Sequence, residues 1–201
     1  GLDDGRNAVA ASWSVASSKK SKQIDLELRP LLSFVDYHHL QHGNHDFAVE
    51  YDESNGIVKM QPYASMPPIF FTHNAAAVQN SGFWYRDFEY GIEKERGFDF
   101  QEDLFQPFIL KFDLANAATV IASADDRVTD DFDKLMAAAT ERREELVSKV
   151  PNASGLVRDL VLAADQFIVK RGSGQTVIAG YPWFSDWGRD TMIALNGLTL
   201  A

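Results

Sequence analysis

The 201-residue chain carries 29 acidic against 19 basic side chains, a formal net charge of −10, and it is 45% hydrophobic and 12% aromatic. That much apolar surface suffices for a folded core, whereas such an acid excess argues against nucleic acid, whose binders gather Lys and Arg into patches. With no cysteine, disulfides, thiolate metal sites and Cys nucleophiles are excluded.

No run approaches the roughly 18 apolar residues of a membrane-spanning helix. No signal peptide or basic amphipathic segment is visible, so the expectation is a cytoplasmic protein with no membrane partner. Gly1 is not a natural start, and the sequence stops at Ala201 within a helical pattern. A piece of a longer protein is therefore expected.

From about Ser21 to Ala124 the pattern is that of strands. Ile24, Leu26 and Leu28 alternate with Asp25, Glu27 and Arg29, the period of two of a half-buried strand. Further short runs cover 31–35, 47–51, 57–61, 69–72, 83–90, 108–114 and 119–122. Asn55-Gly56 supplies a hairpin turn, and Pro67-Pro68 admits a strand only at an edge. Many short strands with frequent turns predict an antiparallel β-sandwich over residues 1–124.

The period changes near Asp125. Thr129 or Asp130 can cap a helix with apolar positions at Phe132, Leu135, Met136, Ala139, Leu146 and Val147, a linker helix within 125–150. The charges from Glu141 to Glu145 read as a solvated face with i,i+4 pairs. Pro151-Asn152 breaks this helix, and a second is predicted from about Gly155 to Lys170. Asn152-Ala153-Ser154 has the form of a glycosylation sequon and reads more simply as the start of that helix. A Gly-Ser-Gly turn at 172–174 precedes a short run at 175–179, and a last helix is predicted to start near Asp190.

The densest chemistry lies between Ala179 and Thr191. Trp183 and Trp187 share a Gly- and Pro-punctuated loop with Tyr181, Asp186, Arg189 and Asp190. Sugars call for such a set, because their C–H faces stack on aromatic rings while vicinal hydroxyls take paired hydrogen bonds from a carboxylate and a guanidinium. The same residues could equally form a buried corner with Asp190 as a helix cap. On spacing alone both readings stand. Asp186 and Asp190 lie close enough in sequence for an acid–base pair, but four apart on one helix they would point the same way rather than flank a bond. Asp190 is the only residue of the chain retained as a catalytic candidate.

The run from Gly180 to Leu195 (Gly-Tyr-Pro-Trp-Phe-Ser-Asp-Trp-Gly-Arg-Asp-Thr-Met-Ile-Ala-Leu) closely resembles the signature of prokaryotic glycogen debranching enzymes of the amylo-α-1,6-glucosidase type. Val35-Asp36-Tyr37-His38 with His42 and Asn44, then Trp84-Tyr85, Phe88-Glu89-Tyr90, Glu93, Glu95-Arg96-Gly97 and Glu102-Asp103-Leu104, resemble the same family's N-terminal β-domain. The resemblance implies an α+β multidomain arrangement. In it, the β-sandwich and helical linker are followed by the first helices of an (α/α)6 toroid, incomplete over 151–201. It also implies that Arg189 and Asp190 hold a terminal glucose, with Trp187, Trp183, Asp186 and Tyr181 around it. The general acid and base of an inverting hydrolysis would then lie downstream of this chain, leaving the piece inactive alone. No cofactor or metal is implied. The implied partners are α-glucan (glycogen, limit dextrin, branched maltooligosaccharide) and the remainder of the parent chain. A non-catalytic glucan-binding module, or another toroidal glycosidase such as a trimming glucosidase or an invertase-like enzyme, are the alternatives.

Two other clusters have blander readings. Four of the five histidines fall at His38, His39, His42 and His45, after a strand and around a His-Gly-Asn turn, so a polar rim beside the sugar site is favoured over a metal centre. Simple alternation puts Trp84, Phe88 and Tyr90 on one face of their strand and Tyr85 on the other. Three aromatics on one sandwich face are more often core than a starch platform. No G-x-S-x-G elbow and no phosphate loop occurs.

Overall fold

A computed structural model describes residues 7–16, 24–36, 38–124, 132–181 and 184–199 of the protein. The chain divides into two units, Asn7–Phe132 and a second from Asp133 onward.

The first unit comprises β1 (Ala8–Trp13), β2 (Asp25–Leu28), β3 (Tyr51–Ser54), β4 (Ile57–Met60), β5 (Ile69–His73), β6 (Ala77–Glu89), a short helix α1 (Gly91–Glu95), β7 (Gln101–Asp113) and β8 (Ala118–Ser123). They form two antiparallel sheets, one in the order β1-β8-β5-β4-β3 and one in the order β2-β7-β6. Period-two patterning turns one side of each sheet toward a common core. Val58, Met60, Phe71 and Val120 come from the first sheet, and Phe105, Phe108, Leu110 and Phe112 from β7 of the second. The two layers meet ring to ring: Phe71 and Tyr51 each stand edge-on to Phe108 at 5.3 Å.

Local chemistry explains where strands begin and end. Asn55 and Gly56 both adopt positive φ, closing the β3–β4 hairpin as the sequence predicts. A side chain at Gly56 would also come within 3.0 Å of the His73 carbonyl. The run expected as a strand at 31–35 makes only one bridge, Leu32 with Phe105, because Phe34 turns to positive φ. The strand expected at 47–51 starts only at Tyr51. Phe47 instead plugs the core, its ring 4.9 Å from Trp84 and 5.1 Å from Phe105. β5 lies in the middle of its sheet rather than at an edge, since Pro67 and Pro68 precede its first residue and cost no ladder bond. β1 pairs along its length with β8, although its residues lie before the region read as strands.

β6 departs from simple alternation. Its pairing with β7 slips between Asn80 and Phe83 and again between Tyr85 and Phe88, where Gly82 and Asp87 take positive φ. Trp84 faces the core opposite Phe105. Phe88 lies beside Tyr85, not with Trp84, as the ring contacts Phe83–Tyr85 (5.1 Å) and Tyr85–Phe88 (6.2 Å) establish. The expectation of one face for Trp84 and Phe88 is thus corrected: the second bulge moves Phe88 to the other side.

The second unit contains α2 (Phe132–Ser148), α3 (Leu156–Asp165), the three-stranded sheet of β9 (Ile168–Arg171), β10 (Gly174–Gly180) and β11 (Phe184–Asp186), and α4 (Gly188–Thr199). The expected caps of α2, Thr129 and Asp130, lie outside the described residues. α3 begins behind Gly155, whose positive φ no side chain could share cheaply, and no side chain caps it. The helix expected to reach Lys170 stops at Asp165. Ile168 and Val169 are β-branched and pair with Val177 and Thr176 across a turn at Gly172. Arg142 of α2 grips the Asp165 carboxylate through two hydrogen bonds, 2.5 and 2.8 Å, and Arg158 of α3 reaches back to Glu144. Among the described residues no helix is long and apolar enough to cross a membrane.

Candidate functional site

The aromatic loop singled out in the sequence is a hairpin feeding a helix. β10 and β11 pair antiparallel through Gly180 with Phe184 and Ile178 with Asp186. A side-chain carbon added at Gly180 would make ordinary van der Waals contact with the Phe184 ring, at 3.5 Å. Trp183 and Pro182 lie outside the described residues. Tyr181 is half exposed with its ring centroid 5.9 Å from that of Phe167. Trp187 follows β11 directly, and its carbonyl accepts bonds from the Thr191 amide and hydroxyl, both 2.9 Å, which fixes the first turn of α4. The indole itself is 53% exposed, so it is not the plug of a buried corner.

The two aspartates are held differently. Asp186 accepts hydrogen bonds from Arg171 of β9 and from the Thr176 hydroxyl of β10, the latter at 2.9 Å. Its carboxylate braces three strands. Asp190 sits in the first turn of α4, where the helix dipole favours an anion, and faces Arg189 at 3.4 Å. Both side chains of that pair are open to solvent, Arg189 more than Asp190. A guanidinium and a carboxylate side by side, two residues beyond an exposed indole, can offer paired hydrogen bonds and a stacking face to a polyhydroxyl ligand. Because Asp186 is engaged within the sheet while Asp190 stands free of it, the two are not poised as matched acid and base.

The histidine loop of the first unit is built around two buried carboxylates, Glu102 and Asp103, to which the sequence assigned no structural part beyond the family resemblance. Asp103 accepts from the Gly43 amide at 2.8 Å, the Asp87 amide at 3.1 Å and Arg86 Nη1 at 3.2 Å. Those bonds, led by Gly43 and then Asp87, with Arg86 and His42 adding favourable charge, hold its pKa below the ordinary aspartate value against the opposing effect of burial. Glu102 accepts from the Gln41 amide at 3.1 Å and from the Tyr90 hydroxyl at 2.5 Å. Burial, together with that bond to Glu102, pushes the Tyr90 phenol up to about 12. The signal in the sequence was two adjacent acids directly ahead of the mostly apolar run from Leu104 to Leu110. Around this anchor Asp36 accepts from the His38 amide and Asn44 from the Asp46 amide, both 3.0 Å, and the imidazoles of His38, His39, His42 and His45 face outward. No group of three or more metal-ligating side chains converges among the described residues. Tyr37 lies outside them.

Comparison with known proteins gives two matches in chain order. A family model described as glycogen debranching enzyme N terminal matches residues 2–121, and one described as amylo-alpha-1,6-glucosidase matches residues 162–201. No curated protein and no solved structure gives a significant match. The first family match alone spans more than half the sequence, and the chain belongs to the glycogen debranching enzyme family.

Proposed function

We propose that the protein serves hydrolysis of single α-1,6-linked glucose residues at branch points of an α-glucan. In this reading Arg189 and Asp190 grip the terminal glucose by adjacent hydroxyls, Trp187 and Trp183 form the stacking wall, and Tyr181 lies beside them. Asp186 acts as a brace that sets the loop rather than as a ligand. The observation that carries the reading is the exposed Arg189–Asp190 pair at the start of α4, directly behind an exposed tryptophan and inside the segment matched by amylo-alpha-1,6-glucosidase.

The two antiparallel sheets that share one core support a β-sandwich domain ahead of this site. α4 would be an early helix of an (α/α)6 toroid. The general acid and base, acting with inversion as in toroidal relatives, would stand on other helices of that toroid. Nothing in the chemistry of the residues present calls for a cofactor, and the cytoplasm, where glycogen is stored, is the setting that fits.

The test is Arg189→Ala and Asp190→Ala in the full-length enzyme, with glucose release from limit dextrin as readout. Loss of a charged hydrogen bond to the reacting sugar should lower kcat/KM by roughly 10²–10³-fold. Near-normal glucose release by both variants would sink the assignment.

A further inference from the structure

Among the described residues one buried side-chain polar atom has no hydrogen-bond partner, Nε2 of His73. The ring stands at the end of β5, where the chain leaves the five-stranded sheet for β6 of the other. Its Nδ1 accepts from the Ala75 amide at 3.2 Å, so the neutral ring carries its hydrogen on the sealed Nε2. This crossing is tied to the one that returns from β7 to β8. The Asn74 side chain donates to the Ala117 carbonyl and accepts from the Thr119 amide, both at 2.8 Å. The Ala76 amide donates to the Lys111 carbonyl, also at 2.8 Å. On the other side the His73 amide donates to the Gly56 carbonyl of the β3–β4 turn at 2.9 Å. One corner therefore holds two of the connections between the sheets.

We propose that this corner is a pH-sensitive clasp, closed while the His73 imidazole is neutral and released when it takes up a proton. The proton can enter only at Nδ1. A hydrogen there would face the Ala75 N–H, donor against donor, and the charge would rest on a ring whose Nε2 is sealed from solvent with no acceptor. The charged ring therefore has to break the Ala75 bond and turn outward, which loosens Asn74 beside it. Glu53 of β3 is the charged group that acts on the ring, and its carboxylate favours the proton. Opposite His73 on β8 is Val120, the β3–β4 turn offers Asn55 and Gly56, and the Lys111 ammonium of β7 faces Glu27 instead. Burial outweighs Glu53 and holds His73 below the ordinary imidazole value of 6.5. The unfolded chain thus takes the proton first. The clasp is whole above about pH 6.5 and is lost as pH falls from there toward the lowered value.

The test follows the whole 201-residue chain by NMR and by urea denaturation from about pH 8 to about pH 5, above the range in which Asp103 with its lowered pKa titrates. The His73 ring signal should titrate below 6.5 in the folded chain and close to 6.5 in urea. Protection of the Ala75 amide from hydrogen exchange should fall along the same curve. Below about pH 6.5 the unfolding equilibrium constant should rise toward tenfold per pH unit, the slope of one proton. His73→Asn keeps an oxygen able to accept from the amide two residues on and removes the titration, so it should lose that slope. Three results would overturn the clasp: folded His73 titrating at or above its value in urea, Ala75 protection indifferent to that titration, or the same slope in His73→Asn. The wild-type titration decides by itself if the variant fails to fold.

Discussion

The two units hold themselves together by different means. In the first, two sheets close on a shared set of aromatic and branched side chains, and Phe105, Phe108, Leu110 and Val58 are completely withdrawn from water. In the second, Leu135 and Val147 are the buried hydrophobics among the described residues, while Leu156, Met192 and Ile193 are each more than 70% exposed. What ties its helices is charge: the two-bond grip of Arg142 on Asp165, the Arg158–Glu144 pair, and the bond from Arg171 to Asp186 in the small sheet. Apolar burial scales with area, whereas exposed ion pairs add little, so the first unit should own most of the stability and the second should owe its order to a few contacts. The difference also separates roles. Exposed polar and aromatic groups at the start of α4 belong to the loosely packed unit, and the rigid unit supplies a scaffold that fixes its surface loops.

The largest test of this contrast is Phe105→Ala. The ring is fully buried and touches Phe47 and Trp84 at 5.1 Å each, so truncation removes transfer energy and leaves a cavity. Chemical denaturation should show a loss of about 3–5 kcal/mol. A loss below about 1 kcal/mol would mean that the shared core is not what holds the sheets.

Next in size is Asp103→Ala, which strands the amides of Gly43 and Asp87 and the guanidinium of Arg86. The expected cost is about 1–2 kcal/mol, below the penalty for fully buried donors because these donors are only part-buried. The pH dependence has a definite sign. Because the folded-state pKa of Asp103 is lowered, its contribution is complete above the ordinary aspartate value of about 4 and is lost as pH falls through the lowered value. Wild-type stability should therefore drop on acidification in that window, and Asp103→Ala should flatten the drop. Parallel acid profiles for the two proteins would remove Asp103 from the account of the loop.

Much of this architecture was legible in the sequence, and the failures have physical causes. The Asn55-Gly56 turn, the strands flanking it and α2 follow from turn chemistry and from periods of two and 3.6, which are local properties. Phe47 and Leu32 looked like strand residues because burial alone makes a sequence apolar, yet each is buried by long-range contacts without a ladder of its own. The side on which Phe88 falls could not be read, since a bulge is decided by pairing with β7 and not by the strand's own residues. At the candidate site the residue types were legible: Tyr181, Trp187, Arg189 and Asp190 do share one hairpin-and-helix element. That Asp186 is engaged by Arg171 and Thr176 was not, because the engagement depends on β9, which read as helix. The Glu102–Asp103 anchor was quoted only for its resemblance, its partners lying 12 to 61 residues away in sequence.

The smallest effects sharpen the comparison inside the second unit, where two arginine–carboxylate pairs differ chiefly in burial. Arg142 and Asp165 are both mostly covered and meet in a two-bond fork; Arg158 and Glu144 make a similar fork on the surface. Sequestration from water strengthens the Coulombic and hydrogen-bond terms, and it leaves Asp165 short of solvent if its partner is removed. Arg142→Ala should therefore cost about 1–2 kcal/mol. Arg158→Ala should leave the melting temperature where it is, even though the Glu144 carboxyl is held below its ordinary pKa chiefly by its hydrogen bond from Arg158, since water compensates an exposed pair. Melting the two variants side by side decides the matter. Equal shifts would show that burial does not separate these pairs, and that the second unit is held by the number of its ion pairs rather than by the one it shelters.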